Sequence, residues 1–199
     1  MWIYLVRHAQ TDGNAKRIVQ LPDTPLSVDG ERQAKEFAQA YLHLPISTIL
    51  SSDYARARAT ALALHRHEKT VMLSSKLLRE RNFGDLRGVA YRDIPNDIFA
   101  LNFKPPSGES HRDFVVRVGL AWQNVINVAK SNEGELLVMT HGLVVRCILT
   151  EILKLPTGVL NSADIQNTCV TKINKHNIAD VPLLCDVSHL SAQASDKRE

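Results

Sequence analysis

The sequence predicts an α/β protein built on an open, mostly parallel sheet, and two observations carry that prediction. Short apolar runs recur at Trp2 to Val6, Ser47 to Leu50, Thr70 to Leu73 and Leu136 to Met139, and most of them stop abruptly at polar clusters, as buried strands do. Between them lie segments with apolar residues at helical spacing, the alternation that connects parallel strands through crossover helices.

The first strand opens the chain in MWIYLVRHAQT, where the apolar run delivers Arg7 and His8 at its C-terminal tip. Taken alone, such a pair also fits a solvated edge or a satisfied hydrogen-bonding pair. Ala9 to Pro25 is polar and carries Gly13, Pro22 and Pro25, which predicts a long loop with at most a turn of helix near Asn14 to Ile18. Ser27 caps a helix running to about Leu42, with Ala34, Phe37, Ala38 and Tyr41 on one face. Ser47 to Leu50 stops at Ser51-Ser52-Asp53, and the helix that follows carries Arg56, Arg58 and Arg66. Arg58 and Arg66 read as a solvated face, whereas Arg56 lies on the first turn after a strand tip, where a helix N-terminus favours an anion. His65 and His67 diverge on a helix and find no third ligand at metal-binding spacing, so they are expected on the surface.

Thr70 to Leu73 predicts a further strand, followed by LLRERNFG, in which Glu80 stands between two arginines. An ordinary surface ion pair is the bland reading of that glutamate. Residues 85–106, punctuated by Gly88, Pro95, Pro105 and Pro106, predict an irregular insertion or small lid with one short helix. From Ser107-Gly108-Glu109-Ser110 a long helix runs to Gly134, with Phe114, Val118, Ala121, Trp122, Val125 and Ala129 in helical period. Leu136 to Met139 ends in Thr140-His141-Gly142 before an apolar helix that reaches Leu155-Pro156. Cys169 to Ile173 and Leu183 to Leu190 predict two closing strands that pair antiparallel, and 191–199 a frayed polar tail, leaving one domain over 1–190.

Composition narrows the function classes. The 199 residues suit one compact domain, and 24 Lys plus Arg against 21 Asp plus Glu leave a net charge of +3, too slight to argue for nucleic acid or membrane. No apolar run is long enough to span a bilayer and no secretory leader pattern opens the chain, so a cytoplasmic protein is expected, as a monomer or homodimer. Cys147, Cys169 and Cys185 are widely spaced among apolar neighbours and read as reduced core thiols. The arginine that a cysteine-dependent phosphatase needs shortly after its nucleophile is missing, since the corresponding positions hold Leu153, Lys175 and Ser191.

Arg7-His8, Ser52 to Arg56 and His141 each follow an apolar strand, so a parallel sheet gathers them along one C-terminal edge. Two arginines, two histidines and helix N-termini in one crevice describe a phosphate site.

The runs LVRHAQTDGN, DTPLSVDGERQA, SSDYARARATA, LLRERNFGDLRG, PSGES and LLVMTHGLVVR together resemble the histidine phosphatase superfamily, also called phosphoglycerate mutase-like, from Ile3 to about Arg146 in order and spacing. The resemblance implies a three-layer α/β/α fold and covalent phosphohistidine chemistry without metal or other cofactor, acting on a small phosphorylated metabolite. It maps His8 to the nucleophile, Arg7, Arg56 and His141 to groups holding the phosphoryl oxygens, Asn14 to a further polar contact, and Glu80 to the acid that protonates the leaving oxygen. Gly142 accompanies His141 at the phosphate. Three departures stand out: Ala9 replaces a glycine, Ala59 a frequent glutamine, and Val19-Gln20 a polar residue and glycine, with a one-residue shift putting Gln20 in the polar role. Within the family, the WIYLVRH opening and FGDLRG look most like α-ribazole-5′-phosphate phosphatases of cobalamin nucleotide-loop assembly. Sugar phosphatases and mutases are the alternatives, and a non-catalytic phosphate-binding module is an alternative of another class.

Overall fold

The computed structural model describes residues 1–65, 70–156, 160 and 165–191, and its centre is a single six-stranded sheet. The strands are β1 (Trp2–Arg7), β2 (Ile46–Ser52), β3 (Val71–Ser75), β4 (Glu135–Thr140), β5 (Val170–Asn174) and β6 (Leu183–Asp186), ordered β3-β2-β4-β1-β5-β6. β3, β2, β4 and β1 run parallel, while β5 and β6 add an antiparallel edge. The principal helices are α1 (Asp12–Ala15), α2 (Val28–Tyr41), α3 (Ala55–Leu64), α4 (His111–Ser131) and α5 (Gly142–Cys147).

Alternation along β1 builds the three layers. Ile3 and Leu5 face a core shared with Val118, Trp122 and Val125 of α4 and Val144 and Val145 of α5. Tyr4 and Val6 face the opposite core, with Phe37 and Ala38 of α2 and Ala57 and Ala61 of α3. A sheet covered on both faces needs apolar residues at nearly every position, which is why β1 and β4 read as unbroken apolar runs. Register then aligns the strand tips: Arg7 pairs with Thr140, and Ser51 with Met139, so the residues that follow β1, β2 and β4 leave the sheet side by side.

The irregular parts differ from expectation in instructive ways. The helical turn in the first loop falls at Asp12–Ala15, earlier than Asn14 to Ile18, because Thr11 and Asn14 cap it reciprocally. The segment after Glu80 holds 3₁₀ turns at Gly84–Leu86 and Tyr91–Asp93 in place of one short helix, around its own small core of Val19, Phe83, Ile94 and Ile98. Its backbone is latched to the first loop: Val19 N–H donates to Val89 O at 3.0 Å, Gly88 N–H to Val19 O at 2.7 Å and Tyr91 N–H to Arg17 O at 2.9 Å. Gly84 turns this segment with φ +53°, and a Cβ there would lie 1.9 Å from Pro106 O.

α4 starts where expected, with Ser110 Oγ accepting from Asp113 N–H at 3.1 Å, and stops at Ser131 as Asn132 turns its side chain back onto Gly134 O. β6 ends at Asp186, short of Leu190, where the chain folds into a turn closed by Leu190 N–H to Val187 O. Ser191 is not frayed: its Oγ donates to Glu36 Oε1 at 2.6 Å, and the rest of the expected tail lies outside the described residues. His65 is half-buried instead of superficial, its Nε2 lying 2.9 Å from Thr70 O. Arg58 is exposed as expected, and Arg66 and His67 lie outside the described residues. All three cysteines are buried, as expected of core thiols. Among the described residues, no helix is long and apolar enough to cross a membrane.

Candidate active site

His8 sits just beyond β1 and is only 2% exposed. Its Nδ1 lies 2.7 Å from Ala9 O, so the ring keeps a proton there and presents a lone pair at Nε2, which accepts from Arg56 Nε–H at 3.1 Å. Burial, then the charges of Arg56 and Arg7, hold the imidazole pKa well below its ordinary value, and the ring stays neutral. Ala9, in place of the family's glycine, carries no left-handed torsion and donates its N–H to Thr60 Oγ1 at 3.0 Å. The substitution therefore costs no backbone strain.

The arginines come from the neighbouring strand ends. Arg56 is buried on the first turn of α3, donates through Nη1 to Leu21 O at 2.9 Å, and lies 5.2 Å from the ring centre of Tyr54. Burial lowers its pKa to about 10, still far above neutrality. Arg7 anchors Nη1 on Ile165 O at 2.6 Å, while its buried Nε–H finds no acceptor in the protein. Gly142 lies beside this guanidinium, where a Cβ would meet Arg7 Nε at 3.4 Å, an ordinary van der Waals contact.

His141, at the tip of β4, packs edge-on against His8 with ring centres 5.1 Å apart. Ser52 Oγ accepts from Tyr54 N–H at 3.3 Å and lies 2.8 Å from His141 Nε2, a bond in which either atom donates according to the ring's tautomer. The ring's Nδ1 is buried and also lacks a protein partner. Burial first, then Arg56, keeps the ring uncharged. His141 is fully buried against the His8 ring and is absent from the lining of the crevice.

Glu80 closes the far side. Its Oε1 accepts from Arg81 N–H at 2.9 Å and its Oε2 from Leu143 N–H at 3.2 Å, which rules out the free surface pair. Burial raises its pKa against the opposing pull of those two amides and of Arg56 and Arg7. Asn14 and Gln20 line the same crevice; Asn14 Oδ1 accepts from Thr11 N–H at 3.2 Å and Gln20 Oε1 from Thr11 Oγ1 at 2.8 Å, which leaves their amide N–H groups as donors. Val19 also borders the crevice while packing in the insertion's core, and of the two it is Gln20 that brings a polar side chain to the crevice.

Sequence reasoning missed several contributors. Tyr54 is buried, touching Arg56, His141 and Arg79 with its ring, and its hydroxyl accepts from Arg87 Nη2 at 3.2 Å. Arg117 grips Glu109 through two bonds and donates to the carbonyls of Leu77, Arg79 and Glu80, fixing the backbone that carries the acid. Arg81 is buried and donates to Phe103 O at 2.7 Å and Ile98 O at 3.3 Å. Asn167 Nδ2 holds His8 O at 2.9 Å. The only sequence signal was the PSGES run, whose Glu109 opens the helix bearing Arg117.

Arg7, His8, Asn14, Gln20, Arg56 and Glu80 line a crevice of about 1520 Å³ at the C-terminal edge of the sheet. Among the described residues, no group of three His, Cys, Asp or Glu side chains is placed to hold a metal ion. A neutral imidazole nitrogen, ringed by cationic and amide donors and faced by a carboxyl of raised pKa, is an arrangement suited to binding an anion beside a nucleophile. The model of the histidine phosphatase superfamily (branch 1) matches residues 3–179, and the chain belongs to that family.

A probable phosphoglycerate mutase GpmB of Shigella boydii is 29% identical over 213 aligned positions, covering 98% of this chain and 97% of that protein. The structure of a mycobacterial glucosyl-3-phosphoglycerate phosphatase complexed with VO3 is 26% identical and superposes with a TM-score of 0.73, over 87% of this chain and 90% of that one. A structure described as a candidate α-ribazole-5′-P phosphatase from Escherichia coli superposes with a TM-score of 0.75 over 92% of this chain and 95% of that one, at 20% identity, a likeness of fold.

Proposed function

We propose that the protein is a metal-independent phosphomonoesterase that works through a phosphohistidine on His8. The observation that carries this is the His8 ring itself, whose proton is tied down at Nδ1 by Ala9 O while Nε2 faces Arg56. An incoming phosphate takes over the Arg56 donor and frees the Nε2 lone pair for in-line attack on phosphorus. The ester P–O bond breaks as the Nε2–P bond forms, and the leaving oxygen takes the proton of Glu80. Arg7 Nε–H, without an acceptor in the protein, supplies a further donor for the equatorial oxygens, where charge develops. Glu80, now a carboxylate, accepts a proton from water as that water attacks phosphorus, releasing inorganic phosphate and restoring His8.

The resemblance of WIYLVRH and FGDLRG puts α-ribazole 5′-phosphate first among candidate substrates, with sugar phosphates behind it. A second reading, transfer of the phosphoryl group back to an organic acceptor as in a mutase, is favoured by the similarity to the Shigella boydii protein. Both are tested together. The purified protein is expected to hydrolyse p-nitrophenyl phosphate with chelator present, and His8→Ala to abolish this; undiminished activity in that variant removes the nucleophile. With 3-phosphoglycerate, release of inorganic phosphate marks a phosphatase, whereas accumulation of the 2-isomer without phosphate release marks a mutase.

A further inference from the structure

The segment beside the nucleophile carries a backbone outlier that the chemistry above does not use. Thr168 is fully buried at φ +58°, and among the described residues it is the β-branched one in the left-handed region, where such a side chain is most unfavourable. Three contacts hold it there: its N–H donates to Arg7 O at 3.1 Å, its Oγ1 donates to Asn167 O at 2.7 Å, and Oγ1 lies 3.1 Å from His189 Nε2. The strained turn fixes the residue before it, Asn167, on the lining of the crevice.

The Asn167 amide reaches in two directions. Its Nδ2 donates to His8 O at 2.9 Å and to Asn14 Oδ1 at 3.4 Å. Both partners must be oxygens, because one belongs to the main chain and the other also accepts from Thr11 N–H at 3.2 Å. The peptide joining His8 to Ala9 is thereby pinned at both ends, its carbonyl by Asn167 and its N–H by Thr60 Oγ1 at 3.0 Å. Ala9 O, the next carbonyl along, is the atom that holds His8 Nδ1. On the other side, two N–H donors occupy the oxygen of Asn14, which turns its NH2 group away from both and leaves it to donate into the crevice.

We infer that Asn167 is a positioning residue for the reaction: one N–H sets the backbone that carries the attacking imidazole, the other sets Asn14 as a donor to the phosphoryl group, and a single amide aligns the two. This rests on the phosphohistidine reading of His8 and adds to it a residue that touches neither the phosphate nor the attacking nitrogen. The strain at Thr168 is the cost of placing that amide between them.

The test reads binding and chemistry apart. Leucine has the shape of asparagine and neither donor, so Asn167→Leu removes both bonds at little change in volume. Calorimetry with inorganic phosphate is expected to show affinity falling at least about tenfold in Asn167→Leu, the scale of one charge-assisted contact. When Asn14 is already alanine, adding Asn167→Leu costs less than about threefold, because the donor it orients is gone. The release of p-nitrophenol in a single turnover, which reads attack by His8, is expected to slow about 10²-fold in Asn167→Leu with or without Asn14, the scale of a misplaced reacting group. Equal loss of phosphate affinity in both backgrounds marks a general structural role and overturns the proposal, as does a single-turnover rate within about threefold of the parent. Nitrogen-15 spectra of the wild type, which depend on no variant folding, read the same arrangement: inorganic phosphate is expected to shift the side-chain NH2 signals of Asn14 and to leave those of Asn167 in place. Shifts of equal size make Asn167 a direct ligand and overturn positioning. Absent hydrolysis by the wild type, with the coupling in phosphate affinity intact, refutes the phosphatase reading alone.

Discussion

Replacing Arg117 by methionine tests how the acid is held. The guanidinium donates to Glu109 Oε1 at 2.6 Å and Oε2 at 2.9 Å, and to Leu77 O at 2.7 Å and Arg79 O at 2.9 Å. Methionine keeps the apolar stem and removes these four bonds and the longer one to Glu80 O, stranding a carboxylate and three carbonyls. Breaking a fully buried pair costs about 3–5 kcal/mol. Here both side chains are 18–19% exposed and Glu109 Oε2 still accepts from Asn82 N–H. A loss of about 2–4 kcal/mol is therefore expected, which for a chain of this size lowers Tm by about 5–12 °C. Scanning calorimetry at neutral pH reads it, and a fall below about 2 °C would refute the clamp.

The pH dependence of that clamp is a second reading of the same experiment. Burial pushes the Glu109 carboxyl up, but the bonds from Arg117 and the Asn82 amide bring it below its ordinary 4.5. A depressed carboxylate stabilises the fold above the unfolded value, and the stabilisation is lost as pH falls through the folded one. The gap between wild type and Arg117→Met is thus expected to narrow below about pH 4.5. A gap that is constant down to pH 3 would place the cost in packing instead.

Two further outcomes follow from the site. Glu80→Gln is expected to slow hydrolysis of alkyl phosphates by about 10²–10⁴-fold, the usual scale for a lost general acid, and of p-nitrophenyl phosphate far less; equal losses across leaving groups would remove the acid role. His8 and His141 are buried neutral in the fold with pKa values held well below 6.5, but take up protons in the unfolded chain below that value. The unfolded state then binds more protons, so stability should fall as pH drops from 6.5, by up to about 1.4 kcal/mol per pH unit for each ring. Urea midpoints that do not change between pH 7 and 5.5 would contradict that burial.

Much of this site was legible because strand tips advertise themselves. An apolar run that stops at Arg7-His8 or at His141 can end nowhere but the sheet edge, and parallel pairing of β1 with β4 makes those ends neighbours. Glu80 was less legible: beside two arginines it resembles a surface pair, and only the Leu143 amide from α5 shows that it faces the crevice. Tyr54, Arg87 and Arg117 were illegible for a common reason. Their partners are separated by tens of residues and are reached through a hydroxyl, a ring face or main-chain carbonyls, none of which leaves a spacing in the sequence. The 3₁₀ turns of the irregular segment after Glu80 follow from packing around Phe83 and Ile94, which no local periodicity records.

Arg81 and Arg117 grip the segment around Glu80 by its main-chain oxygens, at Ile98, Phe103, Leu77 and Arg79. Every amino acid offers that same oxygen, so side chains along this wall are free to drift while the grip persists. The phosphate machinery, rooted in the strands, is thereby insulated from change in the wall that meets the remainder of the substrate. Evolution, or a protein engineer, can retune selectivity by exchanging wall residues such as Phe99 or Leu101 without rebuilding the reaction centre.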